Sequence, residues 1–148
     1  MNKKERLRKK LVYFAKKHLG KLYKYGAALS EAPRIFDCSS FTQYLYKRIG
    51  INLPRKALDQ AHLGKSINSK KENLQPGDLI FIKGSWGHYN PEFPQGIGHV
   101  AIYIGNGKII HAKWKKKNEN GSGDDFVRED KVEKLLNRRD LVVIKRIL

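Results

Sequence analysis

The sequence predicts an α+β domain. Three observations carry that prediction: an amphipathic helical pattern near the start, two shorter helical stretches after it, and short apolar strands confined to the second half. A length of 148 residues suits a single hydrophobic core, and neither an internal repeat nor a linker divides it. One domain over residues 1–148 is expected, with 1–10 as a basic N-terminal extension.

Each element has a local reason. From Glu5 to Leu19 the apolar residues Leu7, Leu11, Phe14, Ala15 and Leu19 recur at helical spacing with lysines and arginines on the other side, and Gly20 suits the stop. Residues 38–49 form a second helix on Phe41, Leu45 and Ile49, with Lys47 and Arg48 near its negative end. Pro54 suits the first turn of a third helix running to about Leu63, ended by Gly64. Strands follow at 78–82 after the turn "QPG", at 99–104 and 108–112 around "GNG", and in the terminal "LVVIKRIL". The stretch "KKKNENGSGDD" reads as a polar loop, its lysine run a solvated face.

Charge narrows the partners. The formal net charge is +17, from 31 Lys and Arg against 14 Asp and Glu, which predicts attraction to polyanions such as nucleic acid, anionic lipid or phosphate-rich wall polymers. Aromatic residues interleaved with Lys and Arg on a recognisable nucleic-acid fold are not traceable, so no specific nucleic acid is expected. No apolar run approaches the roughly eighteen residues of a membrane span. The start "MNKKERLRKK" has the charge of a secretory signal, but "LVYFA" is too short an apolar stretch to complete one. Localisation stays open between the cytoplasm and a wall reached by another route.

Chemistry concentrates on one cysteine and two of five histidines. A single cysteine forms no internal disulfide, and the Cys and His spacings match no zinc site, so neither metal nor cofactor is expected. Cys38 stands between Asp37 and Ser39 at the start of the second helix, where the positive end of the dipole lowers a thiol pKa. On the residues alone it is a nucleophile or a buried packing residue, and Asp37 a helix cap or a ligand. A cysteine nucleophile requires a histidine base oriented by a third polar group. His99 opens one strand and His111 lies on its hairpin partner, which brings them together. His18, His62 and His88 read as surface or structural residues.

The blocks "GKLYKYGAALSEAPRIFDCSSF", "INLPRKALDQ", "LQPGDLIFI", "GHVAIYIGNGKIIHA" and "RRDLVVIKRIL" resemble, in order and spacing, the motifs of the NlpC-type papain-like cell-wall cysteine peptidases. The resemblance runs from about Leu11 to Leu148. It implies a papain-like fold with helices packed on a mainly antiparallel sheet and the cysteine at a helix N-terminus. It further implies hydrolysis, through an acyl-enzyme, of an amide bond in peptidoglycan stem peptides, between D-glutamate and the diamino acid. By the same resemblance Cys38 is the nucleophile, His99 the base and His111 the orienting residue. Tyr23 assists the oxyanion, and Asp37 and Ser39 hold a free substrate amine. An amidase or acyltransferase on another substrate, or a basic wall-binding or nucleic-acid-binding module, remain the competing readings. The chain departs from the pattern at Ser40 and Ala27, where glycines are usual, and at Lys56, where a small hydroxyl residue is common. The segment 83–98 is long for such a connection, and its Trp86, Tyr89 and Phe93 either line a cleft or pack the loop.

The hairpin between His99 and His111 carries a geometric expectation. A two-residue Asn106–Gly107 loop pairs Gly105 with Lys108 and sets His111 opposite Ile102, on the face His99 does not share. A three-residue loop, Gly105 to Gly107, pairs Ile104 with Lys108 and Ala101 with His111, and both imidazoles then leave one face. The second register is expected, with Gly107 left-handed and the pair on the side facing Cys38.

Overall fold

The computed structural model describes residues 1–85, 87–113 and 125–148. Trp86 and the lysine run at 115–117, with nearly all of its loop, lie outside the described residues. Helix α1 (Lys3–Lys17) starts at Asn2, whose side chain accepts from the Glu5 N–H at 2.9 Å, and buries Leu11 and Ala15. It ends two residues short of Leu19, which is exposed. Strands β1 (Leu22–Tyr23) and β2 (Ile35–Phe36) pair in parallel, and α2 (Cys38–Lys47) follows directly.

The expected third helix shrinks to α3 (Ala57–Gln60) because residues 53–56 are not helical, Lys56 having extended backbone. Gln43 Nε2 donates to the Leu53 carbonyl at 3.0 Å, and Gln60 Nε2 donates to the Pro54 carbonyl at 2.8 Å. Side-chain amides thus take carbonyls that a helix would have used. Beyond it come β3 (Lys65–Ile67), β4 (Leu79–Ile82), β5 (His99–Gly105), β6 (Lys108–Lys113), β7 (Phe126–Lys131), α4 (Glu133–Leu136) and β8 (Leu141–Arg146). They form one eight-stranded sheet in the order β2-β1-β7-β6-β5-β4-β8-β3, antiparallel except for β1 with β2. No helix among the described residues is long and apolar enough to cross a membrane.

The two faces of the sheet alternate along its strands. Leu79, Phe81, Val100, Ile102 and Ile110 meet Leu11, Phe41, Leu45 and Tyr46 of the helices. Ile80, Ile82, Ala101, Tyr103 and Ile109 meet Val132, Leu135 and Ile144 on the other side. Each large side chain removed from water contributes roughly 1.5–3 kcal/mol, so the central strands, buried on both faces, form the stable platform of the domain.

The hairpin reaches the expected facing by another route. Gly105 pairs with Lys108 across a two-residue turn in which Asn106 (φ 53°) and Gly107 (φ 72°) both have positive φ, as a type I′ turn requires. Ile104 then bulges out of register, Tyr103 pairs with Ile109 and Ile102 with Ile110. Continuing that register puts Ala101 opposite His111. The three-residue loop is therefore corrected to a two-residue loop plus a bulge, with the same consequence for the histidines. By alternation both imidazoles lie with Ala101, Tyr103 and Ile109, on the sheet face turned away from α2 rather than toward it. The thiol consequently meets β5 at its end.

Candidate active site

Asp37 caps α2 and so fixes the position of Cys38. Its carboxylate accepts from the Ser40 N–H at 2.8 Å, while Ser40 Oγ accepts from the Asp37 N–H at 3.0 Å. Two amides that a helix start leaves unpaired are satisfied, a contribution of about 1 kcal/mol. Ser40 fills a role a glycine could not. Cys38 follows in the first turn, half-buried, its Sγ 3.9 Å from the Gly98 carbonyl to which it donates. Gly98 is required by its other neighbours: a Cβ there would stand 2.5 Å from the Lys83 carbonyl oxygen and 2.9 Å from the Gly87 nitrogen.

The helix terminus does not win the electrostatics at the sulfur. Burial, and then the Asp37 charge, push the Cys38 thiol up to about 11, against the opposing pull of the Val100 and Ser39 N–H groups and the Arg55 guanidinium. The expectation of a depressed thiol pKa is corrected: the resting group is a protonated thiol. Desolvation also dominates at His99, reinforced by His111 and Lys113, and holds its pKa well below the usual histidine value. His99 therefore rests as a neutral imidazole.

The histidines form a directed chain. His99 Nε2 lies 2.7 Å from His111 Nδ1, and His111 Nε2 lies 2.8 Å from Asp130 Oδ2. Asp130 is held well below the usual carboxylate range, first by the His111 hydrogen bond, with Lys134 at 3.0 Å and Arg128 at 3.3 Å adding to it. His111, almost fully buried, is nonetheless lowered, because desolvation outweighs the raising effect of Asp130. Both directions describe one state, a carboxylate accepting from a neutral imidazole. An ionised carboxylate only accepts, so His111 Nε2 carries a proton and its Nδ1 accepts from His99 Nε2–H. His99 Nδ1 is left with its lone pair, one residue along from the Gly98 carbonyl that the thiol reaches. Asp130 was not legible as a site residue.

The remaining expected residues border the clefts. A cleft of about 330 Å³ is lined by Cys38, Tyr23, Asp37, Ser39, Arg55 and Lys56, and an adjoining one by His99 and His111; Tyr23, Tyr25 and Gly98 border both. Burial, with Cys38 and Asp37 nearby, raises the Tyr23 pKa and keeps its hydroxyl protonated as a donor. The polar atoms of Asp37 and Ser39 are already engaged. Arg55 donates to Asp37 Oδ1 at 3.1 Å, to Asp37 Oδ2 at 2.5 Å, to Ser39 Oγ at 2.8 Å and to the Ala27 carbonyl at 2.6 Å. The block "INLPRKALDQ" contains Arg55, but nothing in its spacing revealed that partner. Of the long segment, His88 and Ile97 line the first cleft, Phe93 is buried against the His62 ring at 5.1 Å, and Tyr89 is exposed. His18 is buried between Phe36 and Tyr44.

An α+β domain with its cysteine at a helix N-terminus and a histidine pair on the sheet is a papain-like fold. The profile of the NlpC/P60 family matches residues 20–134, and the chain belongs to that family. The probable endopeptidase p60 of Listeria seeligeri is 39% identical over 112 residues, 74% of this chain and 19% of the relative. The gamma-D-glutamyl-L-lysine dipeptidyl-peptidase of Bacillus cereus is 43% identical over 77 residues, 52% of this chain and 21% of the relative. The crystal structure of the NlpC/p60 domain of the peptidoglycan hydrolase SagA superposes with a TM-score of 0.66 at 27% identity, covering 94% of this chain and 97% of that one. The chain spans about a fifth of the length of these two curated relatives.

Proposed function

We propose that this chain is a cysteine peptidase that hydrolyses the amide bond between D-glutamate and the diamino acid of peptidoglycan stem peptides, with residues 1–148 acting as one domain. The observation that carries the reading is the His99–His111–Asp130 chain, which leaves the lone pair on His99 Nδ1, in the residue that follows Gly98, whose carbonyl the Cys38 thiol reaches. The names of the relatives supply the bond.

In this mechanism the ground state is a neutral pair, thiol and imidazole. His99 Nδ1 takes the thiol proton as Sγ attacks the scissile carbonyl carbon, and the imidazolium that forms donates more strongly through Nε2 to His111. The oxyanion is met by the Cys38 backbone N–H and the Tyr23 hydroxyl. Collapse expels the amine, which takes the proton from His99. Water, deprotonated by His99, then attacks the thioester; collapse releases the acid and expels the Cys38 sulfur, which takes the proton back from His99 and restores the resting pair. The reaction is complete with side chains and water.

Digestion of purified peptidoglycan followed by mass analysis tests the reading. Wild type should release fragments ending in a free γ-carboxyl of glutamate, and Cys38→Ala and His99→Ala should release none above background. Equal fragments from wild type and Cys38→Ala would remove the thiol from the chemistry. Tight wall binding without any fragment would favour a binding module instead.

A further inference from the structure

The cleft beside Cys38 has a charge that the hydrolysis itself does not use. Its one carboxylate, Asp37, is paired with Arg55 and side-chain buried, so that wall presents no uncompensated negative charge to a substrate ammonium. Lys56 lines the same cleft, is exposed, and has no carboxylate partner among the described residues. The apolar wall is supplied by Ala57, Leu58 and Ile97. With Asp37 and Arg55 cancelling, the net formal charge of the lining is positive, and it sits on Lys56. An anionic group entering next to the thiol is attracted there, and a cationic one is repelled.

We propose that Lys56 is a specificity-determining residue that reads a free substrate carboxylate, the α-carboxylate of the γ-linked glutamyl residue, and discriminates it from the α-carboxamide. This rests on the peptidase reading above. A glutamate joined through its γ-carbonyl keeps its α-carboxylate about four bonds, roughly 5 Å, from the scissile carbon. Cys38 and Lys56 line the same cleft, so a glutamyl residue placed with its γ-carbonyl at the thiol puts its α-carboxylate within that lining. A carboxamide of the same shape keeps the hydrogen-bonding oxygen but loses the charge, so the comparison isolates the electrostatic part of recognition.

Two synthetic peptides test it, L-Ala-γ-D-Glu-L-Lys with its glutamyl α-carboxylate free and the same peptide amidated at that group. Wild type should favour the carboxylate peptide about tenfold in kcat/KM, expressed mainly in KM, the size expected for one charged hydrogen bond. Lys56→Met should bring the ratio near one, and Lys56→Glu should invert it. Because the ratio is taken within one preparation, partial misfolding of a variant cancels. A wild-type ratio near one, or a preference that survives Lys56→Met, overturns the proposal while leaving the peptidase reading intact. If wild type cleaves neither peptide but still digests purified peptidoglycan in a Cys38-dependent way, the scissile bond is wrong and the inference falls with it.

Discussion

Asp130 touches no reacting atom in the proposed mechanism, yet it sets the direction of every hydrogen bond that ends at His99. Its charge favours the imidazolium form of the His pair, and its acceptor oxygen keeps the His111 proton on Nε2. Asp130→Asn removes the charge and leaves Lys134 and Arg128 uncompensated beside His111. The sign follows: with the anion gone, protonated imidazole is less favoured, so the already lowered pKa values of His99 and His111 fall further. The acid limb of kcat/KM should therefore move to lower pH while the plateau drops by about ten- to a hundredfold. That loss is smaller than when a carboxylate holds the base directly, because one imidazole stands between. Asp130→Glu should recover part of the plateau. A pH profile of unchanged shape, with activity scaled only by folded protein, would leave Asp130 a structural residue. The resting thiol makes a companion prediction: iodoacetamide should alkylate Cys38 at a rate that keeps rising above pH 8.5, toward its pKa of about 11. A plateau near neutral pH would place a thiolate in the resting enzyme.

At the scale of the element, the β5–β6 hairpin decides whether His99 and His111 can meet at all. The bulge at Ile104 absorbs one residue, so deleting Ile104 leaves Tyr103 opposite Ile109 and both imidazoles on one face. Deleting Ile109 instead moves His111 to the other face. Hydrolysis should survive the first deletion within about tenfold, and the loss of a buried isoleucine should cost about 2–5 kcal/mol of stability. The second deletion should abolish hydrolysis even where circular dichroism shows a folded chain. Activity in both, or in neither folded variant, would sink the register argument. The hairpin also marks what a sequence displays. Central strands such as β4 and β5 announce themselves by apolar runs, and α1 and α2 by helical periodicity. Strand β7 does not, because its buried positions include Asp130, and a buried charge in "FVREDK" looks like a loop until His111 is known to pair with it. The shortening of the third helix was hidden for a related reason. Gln43 and Gln60 take the Leu53 and Pro54 carbonyls in side-chain hydrogen bonds that local propensity does not encode. The meeting of His99 with His111 was legible because strand periodicity sets them on one face, and the role expected of Cys38 came from the family resemblance, whereas Arg55 and Asp130 act through partners remote in sequence.

For the whole molecule, the net charge of +17 is far more than the cleft can use. Much of it lies on the solvent side of α1, where Lys3, Lys4, Arg6, Lys9, Lys10, Lys16 and Lys17 leave only Leu11 and Ala15 buried in the core. Such a face acts over the Debye length, which shrinks from about 10 Å at 0.1 M salt to about 3 Å at 1 M. If it concentrates the protein on anionic wall polymers, many weak contacts are screened together, and retention on purified walls should collapse between those two salt concentrations. Hydrolysis of a small soluble peptide engages only the cleft and should lose no more than the single Lys56 contact. Neutralising the outer lysines of α1 with Gln should lower wall retention at 0.1 M salt, with the kinetics on the soluble peptide as the control for an intact cleft. Co-sedimentation with walls, alongside peptide kinetics at matched salt, separates the two functions. Parallel loss in both assays would mean that the charge serves the active site itself. Tighter retention on duplex DNA than on walls at equal salt would assign the basic face to nucleic acid.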